Sequence, residues 1–350
     1  MFTDDEVFVI GVDTHRDTHA YAIIDRASGQ VIDQFMFPAD SGGYRQARRR
    51  AARAGGGRVW AVEGTGSYGA GLTDYLQGVG ERVVEVDHPH RRDSDERGKS
   101  DELDAIRAAR MIIGRDRHTQ PRQRRGPREA LRVLVIARRG AVHTRTDAIR
   151  QLKSLVVSLP DRSRERLRGY SADRLVIECA KLRPPRNDAH AASVIRSLRA
   201  IARRCLAATD EAHQHERDIE TWVRASCPQL LEMYGVGPVS AAQLLISWSH
   251  AGRLRSDACF ARLAGVAPIP ASSGNTTRHR LDRGGDRQLN NAIHTIARSR
   301  ANGDPESKAY INRRISEGKT RREALRALKR HVTRRAYTIL KTTSPALDNP

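Results

Sequence analysis

The run Val7-Phe8-Val9-Ile10-Gly11-Val12-Asp13-Thr14-His15 decides how the first part of the chain is read. β-Branched and aromatic residues over so short a length specify a buried strand. At its end stands one carboxylate, Asp13, where a central strand leaves a sheet. A charge is tolerated there only where solvent, a cation or a hydrogen-bond partner meets it. Taken alone, Asp13 reads as a strand-end acid that starts a turn.

Working outward, His19-Ala20-Tyr21-Ala22-Ile23-Ile24-Asp25 and Val31-Ile32-Asp33-Gln34-Phe35-Met36-Phe37 flank Ser28-Gly29, the pattern of two strands joined by a tight turn. An Arg- and Ala-rich helix over 41–54 stops at Gly55-Gly56-Gly57. Arg58-Val59-Trp60-Ala61-Val62-Glu63 is a fourth strand ending in a carboxylate, followed by Gly64-Thr65-Gly66. A helix from about Ser67 to Gln77 and a fifth strand, Arg82 to Asp87, complete the set. Three strands in a meander and two more reached through helices give the order of a ribonuclease-H-like mixed sheet.

The next helix opens at Gly98-Lys99-Ser100-Asp101-Glu102-Leu103-Asp104. Asp101 and Asp104 share one helical face, roughly 5–6 Å apart at Cβ. Acids in a first turn also suit the helix dipole, so a capped surface helix explains them equally. Together with Asp13 and Glu63, however, they make four carboxylates that no structural need brings together. Two Mg2+ ions about 3.5–4 Å apart would neutralise them, activate a nucleophile and stabilise the leaving oxygen of a phosphodiester.

The 350 residues suffice for two or three domains. Lys and Arg number 62 against 41 Asp and Glu, a formal charge of +21 that points to a polyanionic partner. Arg predominates over Lys, which favours phosphate and hence nucleic acid. No apolar run approaches a spanning helix, and Met1-Phe2-Thr3-Asp4-Asp5-Glu6 lacks a basic signal-peptide start, so the expectation is a cytoplasmic, nucleoid-associated protein without membrane contact. Cys179, Cys205, Cys227 and Cys259 are too widely spaced for a zinc site and read as reduced, mostly buried thiols.

Two long helices follow. Pro127 to Leu159 carries Val135, Val142, Ile149 and Val156 every seven residues. Asp188 to Val223 carries Val194, Leu198, Ile201, Cys205, Ala208, Ala212, His215, Ile219 and Trp222 in alternating steps of four and three. This is a coiled-coil seam, with two readings: an arm that pairs subunits into a dimer or tetramer, or two helices packing within one chain. The basic segment from Arg162 to Arg183 between them has no readable role.

In the last third, Tyr234-Gly235-Val236-Gly237-Pro238 has the look of a helix-hairpin-helix turn, whose amides at Gly235 and Gly237 suit a backbone phosphate. The loop Ala271-Ser272-Ser273-Gly274-Asn275-Thr276-Thr277-Arg278-His279-Arg280-Leu281-Asp282-Arg283-Gly284-Gly285-Asp286 is polar and cationic. Its serines are turn formers or, beside Arg278, Arg280 and Arg283, a nucleophile facing a phosphate. Asn312 to Lys341, with Arg322 and Arg330, reads as one basic amphipathic helix whose outer face suits nucleic acid.

Gly11-Val12-Asp13, Val62-Glu63-Gly64-Thr65-Gly66, Lys99-Ser100-Asp101-Glu102-Leu103-Asp104-Ala105, Gly235-Val236-Gly237-Pro238, Gly265-Val266-Ala267-Pro268 with Ser273-Gly274, and Arg283-Gly284-Gly285-Asp286 together resemble the DEDD transposases of the insertion-sequence-110 family. The resemblance implies a Holliday-junction-resolvase-like domain over 1–122, a coiled-coil arm over 123–226 and a mostly α transposase domain over 227–350. It implies a metal site at Asp13, Glu63, Asp101 and Asp104 and a catalytic serine at Ser273, with the adjacent Ser272 as the alternative. Lys99 falls within the third of these motifs and counts among the nucleic-acid contacts. The resemblance also implies a bridge RNA that pairs with donor and target DNA. The expected activity is a recombinase that cuts and rejoins DNA through a phosphoserine link. Its rivals are a metal-dependent resolvase that only hydrolyses and a non-enzymatic nucleic-acid scaffold.

Overall fold

The computed structural model describes residues 2–86, 100–115, 118–122, 126–271, 279–280, 282 and 284–347. They fall into two compact units, residues 1–124 and residues 125–350.

The first unit is a five-stranded mixed sheet. Strands β1 (Glu6–Thr14), β2 (Thr18–Asp25) and β3 (Val31–Pro38) form the antiparallel meander, while β4 (Gly57–Glu63) and β5 (Arg82–Val86) add in parallel on the other side of β1. The spatial order is β3-β2-β1-β4-β5. The opening stretch is therefore the central strand, and its alternation assigns the two faces. Ile10 and Val12 join Tyr21, Ile23, Trp60 and Val62 on one face, covered by α1 (Ser41–Ala52) and α2 (Ala70–Gly78). Asp40 starts α1 by accepting the Gly43 amide at 2.8 Å.

The other face carries small residues where the first carries large ones. Val9, Val59, Ala61 and Val84 meet Ala108, Ala109 and Ile112 of α3 (Asp101–Ile113), and Ala20 and Ala22 meet Ala105. Gly11 is the closest approach: a Cβ there would lie 1.9 Å from the Ala105 carbonyl oxygen. Helix α3 thus rests directly on β1 because residue 11 has no side chain.

The second unit is mostly helical. Helices α4 (Pro127–Val157) and α7 (Ala189–Ser226) pack against each other within the chain. Along α7 the seam residues Leu198, Cys205, Ala208, Ala212 and Ile219 are buried, as are Ala192, Ala202, Val223 and Ser226, while Ile201 packs partly buried beside them and Trp222 is 39% exposed. Small residues dominate the stripe and admit a close helix pair. The segment with no readable role forms α5 (Asp161–Arg168) and α6 (Ala172–Lys181), whose Leu167, Leu175, Val176 and Cys179 close one end of the pair.

At the other end Leu131, Val135, Ile219 and Val223 enter one core with α8 (Pro238–Trp248), α9 (Asp257–Leu263), α10 (Arg287–Gly303), α11 (Pro305–Ser316) and α12 (Arg321–Leu347). A two-residue pairing, β6 (Ile269–Pro270) with β7 (His279–Arg280), interrupts the helices. The expected single helix over Asn312–Lys341 is two. Gly318 at φ +85 ends α11, and Thr320 with Glu323 forms a capping box that starts α12. All four cysteines are free thiols, three of them buried. Among the described residues no helix is long and apolar enough to cross a membrane.

Candidate functional site

Asp13 and Glu63 stand at the ends of neighbouring parallel strands on the face covered by α3. The register pairs Gly11 with Ala61 and Val12 with Val62, so the next residue on each strand is a carboxylate. Beyond β4 the chain turns at Gly64, φ +64, and the Thr14 hydroxyl donates to the Glu63 carbonyl at 2.9 Å. These contacts fix both strand ends.

Ser100 caps α3 by accepting the Leu103 amide, which places Asp101 and Asp104 in its first turn. Because Gly11 lets the helix sit on β1, that turn lies beside Asp13. The imidazole Nε2 of His15 is 3.0 Å from Asp13 Oδ2 and 3.2 Å from Asp101 Oδ1. Asp104 receives Arg107 Nη1 at 2.6 Å. Burial pushes the Asp13 carboxyl above the ordinary carboxylate value, the charges of Glu63 and Asp104 push the same way, and His15 opposes them. Glu63 and Asp104 are thus electrostatic neighbours of Asp13, and an imidazole lies between Asp13 and Asp101.

Asp13, His15 and Asp101 offer ligand atoms within 4.8 Å of one another, a set able to hold a metal ion. Carboxylate oxygens with one imidazole suit a divalent cation. His15 is the residue that sequence reading passed over. Its signal was the Asp13-Thr14-His15 spacing, which in an extended chain returns a side chain to the same side after two residues.

In the second unit, Ser272, Ser273, Arg278 and Arg283 lie outside the described residues, as does Lys99 in the first. What precedes and follows the serine loop is described. The Asp286 amide donates to the Leu263 carbonyl at 2.7 Å, and Asn290 Nδ2 donates to the Ala264 carbonyl at 2.6 Å. Gly285, φ +92, passes so near Leu263 that a Cβ would lie 2.3 Å from its carbonyl oxygen. Asp286 caps α10 with one carboxylate oxygen and accepts the buried Ser247 hydroxyl with the other, at 2.7 Å. The Gly284-Gly285-Asp286 motif thus joins the segment after the loop to the segment before it.

Gly235, φ +80, turns the chain against Ile296 and Ser299, and Gly237 precedes α8 in open space. A cleft of about 350 Å³ there is lined by Arg138, Arg139, Ser240, Gln288 and Asn291 among others. Arg280 and Arg322 are exposed, whereas Arg330 binds Asp257 at 2.6 Å.

Comparison with known proteins gives matches at both ends of the chain. Residues 10–159 match a DEDD-type IS110 family model described as a transposase, and residues 227–312 match a model described as the transposase IS116/IS110/IS902 family. The "Insertion element IS110 uncharacterized 43.6 kDa protein" of Streptomyces coelicolor (strain ATCC BAA-471 / A3(2) / M145) is 33% identical over 136 residues. That match takes in 37% of this chain and 34% of the relative, so the chain spans about a third of that protein's length. The two models describe one family and together take in more than half of the sequence in family order: the chain belongs to the IS110 family of transposases.

Proposed function

We propose that the chain cuts and rejoins DNA strands in the transposition of an insertion sequence, with Asp13, Glu63, Asp101 and Asp104 as its metal-binding acids and Ser273 as its nucleophile. The observation that carries this reading is the pairing of Asp13 and Glu63 at adjacent strand ends beneath the acidic first turn of α3. In this reading the first 122 residues are a ribonuclease-H-like domain, the long helices are a coiled-coil arm over 123–226 that joins copies into a dimer or tetramer, and 227–350 is the transposase domain. The strand order β3-β2-β1-β4-β5 supports the first assignment.

The acids fit Mg2+. Buried Asp13 faces other carboxylates, and Asp13 and Asp101 converge on one point, where the His15 imidazole contacts both. A bound ion would supply Lewis-acid polarisation of a phosphodiester and charge for the departing oxygen. The residues of the chain do the rest. Asp13 and Glu63 are held by paired strands and so keep a fixed separation. The Ser273 oxygen bonds to phosphorus as the bond to the 3′ oxygen breaks, and rejoining is attack of a new 3′ hydroxyl on the phosphoserine. Gly285, Asp286 and Asn290 hold the segments on either side of that loop.

Strand exchange on a DNA substrate carrying the element's ends is the test. Ser273→Ala and Asp13→Ala each abolish exchange while retaining DNA binding, and the wild-type reaction leaves DNA attached to protein on a denaturing gel. Ser272→Ala, run in parallel, retains exchange. Free DNA ends with no attached protein identify the hydrolytic resolvase instead. A bridge RNA partner is part of the reading, checked by sequencing RNA that co-purifies with the protein, as is association with the nucleoid, checked by microscopy.

A further inference from the structure

Lys329 is a cation in an unusual setting. It sits on α12, is only 7% exposed, and its ammonium has one hydrogen bond among the described residues, to the neutral side-chain oxygen of Asn290 at 3.0 Å. Two of its three donor positions have no partner there. A buried charge is ordinarily matched by an opposite one, yet no carboxylate faces this amine among the described residues. The serine loop cannot supply one either, since residues 272–278 contain no Asp or Glu.

The surroundings add positive charge instead. His294 and Arg298 follow Asn290 along α10 at intervals of four residues, which puts the three on one stripe of the helix. His294 is half-buried and Arg298 is exposed, so the stripe leads from the buried amine to the surface. Neither pairs with a carboxylate among the described residues, and the charges of Lys329 and Arg298 act on His294. Burial and these cations push the His294 imidazolium below its ordinary value, and burial does the same to the Lys329 ammonium. Asn290 also holds the Ala264 and Gly265 carbonyls, so the stripe begins where the chain enters the serine loop.

We propose that Lys329, His294 and Arg298 form an anion site whose ligand is a backbone phosphate of a bound DNA strand. Asn290 orients the amine, and the phosphate takes the donor positions left open. The inference rests on the DNA-directed reading above and adds to it a cation buried beside the entry to the serine loop.

The full-length protein and a fluorescein-labelled 20-base-pair DNA duplex test it by fluorescence anisotropy over a range of salt. Losing one phosphate contact lowers the slope of log affinity against log salt by roughly 0.9. Lys329→Met is expected to lower it by that amount and to weaken binding about three- to tenfold at low salt, with Lys329→Arg restoring both. Methionine fills the same volume, so its melting temperature stays at or above that of the wild type. An unchanged slope and affinity in a folded Lys329→Met protein overturn the proposal and leave Lys329 as a neutral, structural amine. Should that variant not fold, lysine-labelled wild-type protein gives the answer by NMR: the Lys329 side-chain resonance moves when duplex is added, and a resonance that stays put refutes the site. A wild-type protein with no affinity for the duplex removes the DNA-directed reading itself, a result distinct from either variant outcome.

Discussion

A methyl group at position 11 would collide with the Ala105 carbonyl oxygen at 1.9 Å and with Ala109 at under 3 Å, so this one residue sets the height of α3 above the sheet. Gly11→Ala should destabilise the first unit by about 1–3 kcal/mol, because backbone rather than a flexible side chain must give way. Gly78→Ala, with nothing within 4 Å, is the control and should change stability by well under about 1 kcal/mol in urea unfolding. The same displacement would carry Asp101 and Asp104 away from Asp13. Saturating Mg2+ should therefore raise the melting temperature of the wild type through binding to the folded state, and fail to raise that of Asp13→Asn or Gly11→Ala. Much of this was legible in the residues. The apolar run announced a central strand, and the acids at its end and at the end of β4 were visible as a pair of like endings. His15 was not legible as a partner, since its proximity to Asp101 depends on how closely α3 approaches β1, a tertiary distance set by a missing side chain.

At the level of elements, the sheet depends on one acid that the sequence did not single out. Glu81, just before β5, accepts from Arg48 at 2.9 Å, from Arg58 at 2.5 Å and from the Trp60 indole at 3.0 Å. Burial would raise its carboxyl, but the hydrogen bonds from Arg58, Trp60 and Arg48 outweigh that and hold it below the ordinary value of 4.5. A carboxyl lowered in the folded state contributes stability that is fully present above its unfolded value and is lost as pH falls through the folded one. The first unit should thus lose stability below about pH 4.5, and Glu81→Gln should flatten that dependence while costing on the order of 2 kcal/mol at neutral pH. Urea unfolding followed through Trp60 between pH 3 and 7 measures both. The helices were legible to different degrees for a related reason. Periodicity located α4 and α7 to within a few residues, but Ala202 and Val223 are buried more fully than the neighbouring Ile201 and Trp222. Close packing selected the smaller side chains, whereas hydrophobicity pointed to the larger. The break at Gly318 had a local signature, the Thr320 and Glu323 capping box, which the continuous basic pattern masked.

Across the whole molecule, the division into two units separates two kinds of chemistry. Residues 1–124 contain 19 Lys and Arg against 20 Asp and Glu, while residues 125–350 contain 43 against 21. The entire excess of +21 therefore resides in the second unit. A near-neutral unit can concentrate carboxylates without a surrounding basic field pairing with them, and the basic unit supplies the attraction for a polyanion. This separation makes a quantitative claim about binding. Counterion release makes the affinity for DNA fall with salt in proportion to the phosphates neutralised, by about a thousandfold or more between 50 and 200 mM for six or more contacts. If those contacts belong to the second unit, Asp13→Ala, Glu63→Ala and Asp104→Ala should leave the salt slope of the full chain unchanged. Replacing exposed cations of the second unit, Arg280 and Arg322 together, should lower it by roughly 2. Anisotropy titrations of the full-length variants against one duplex, at four salt concentrations, measure the slopes directly. A slope that falls with the acid substitutions and is indifferent to Arg280 and Arg322 would assign DNA attraction to the sheet unit, and the net charge of the helical unit would then need another polyanion.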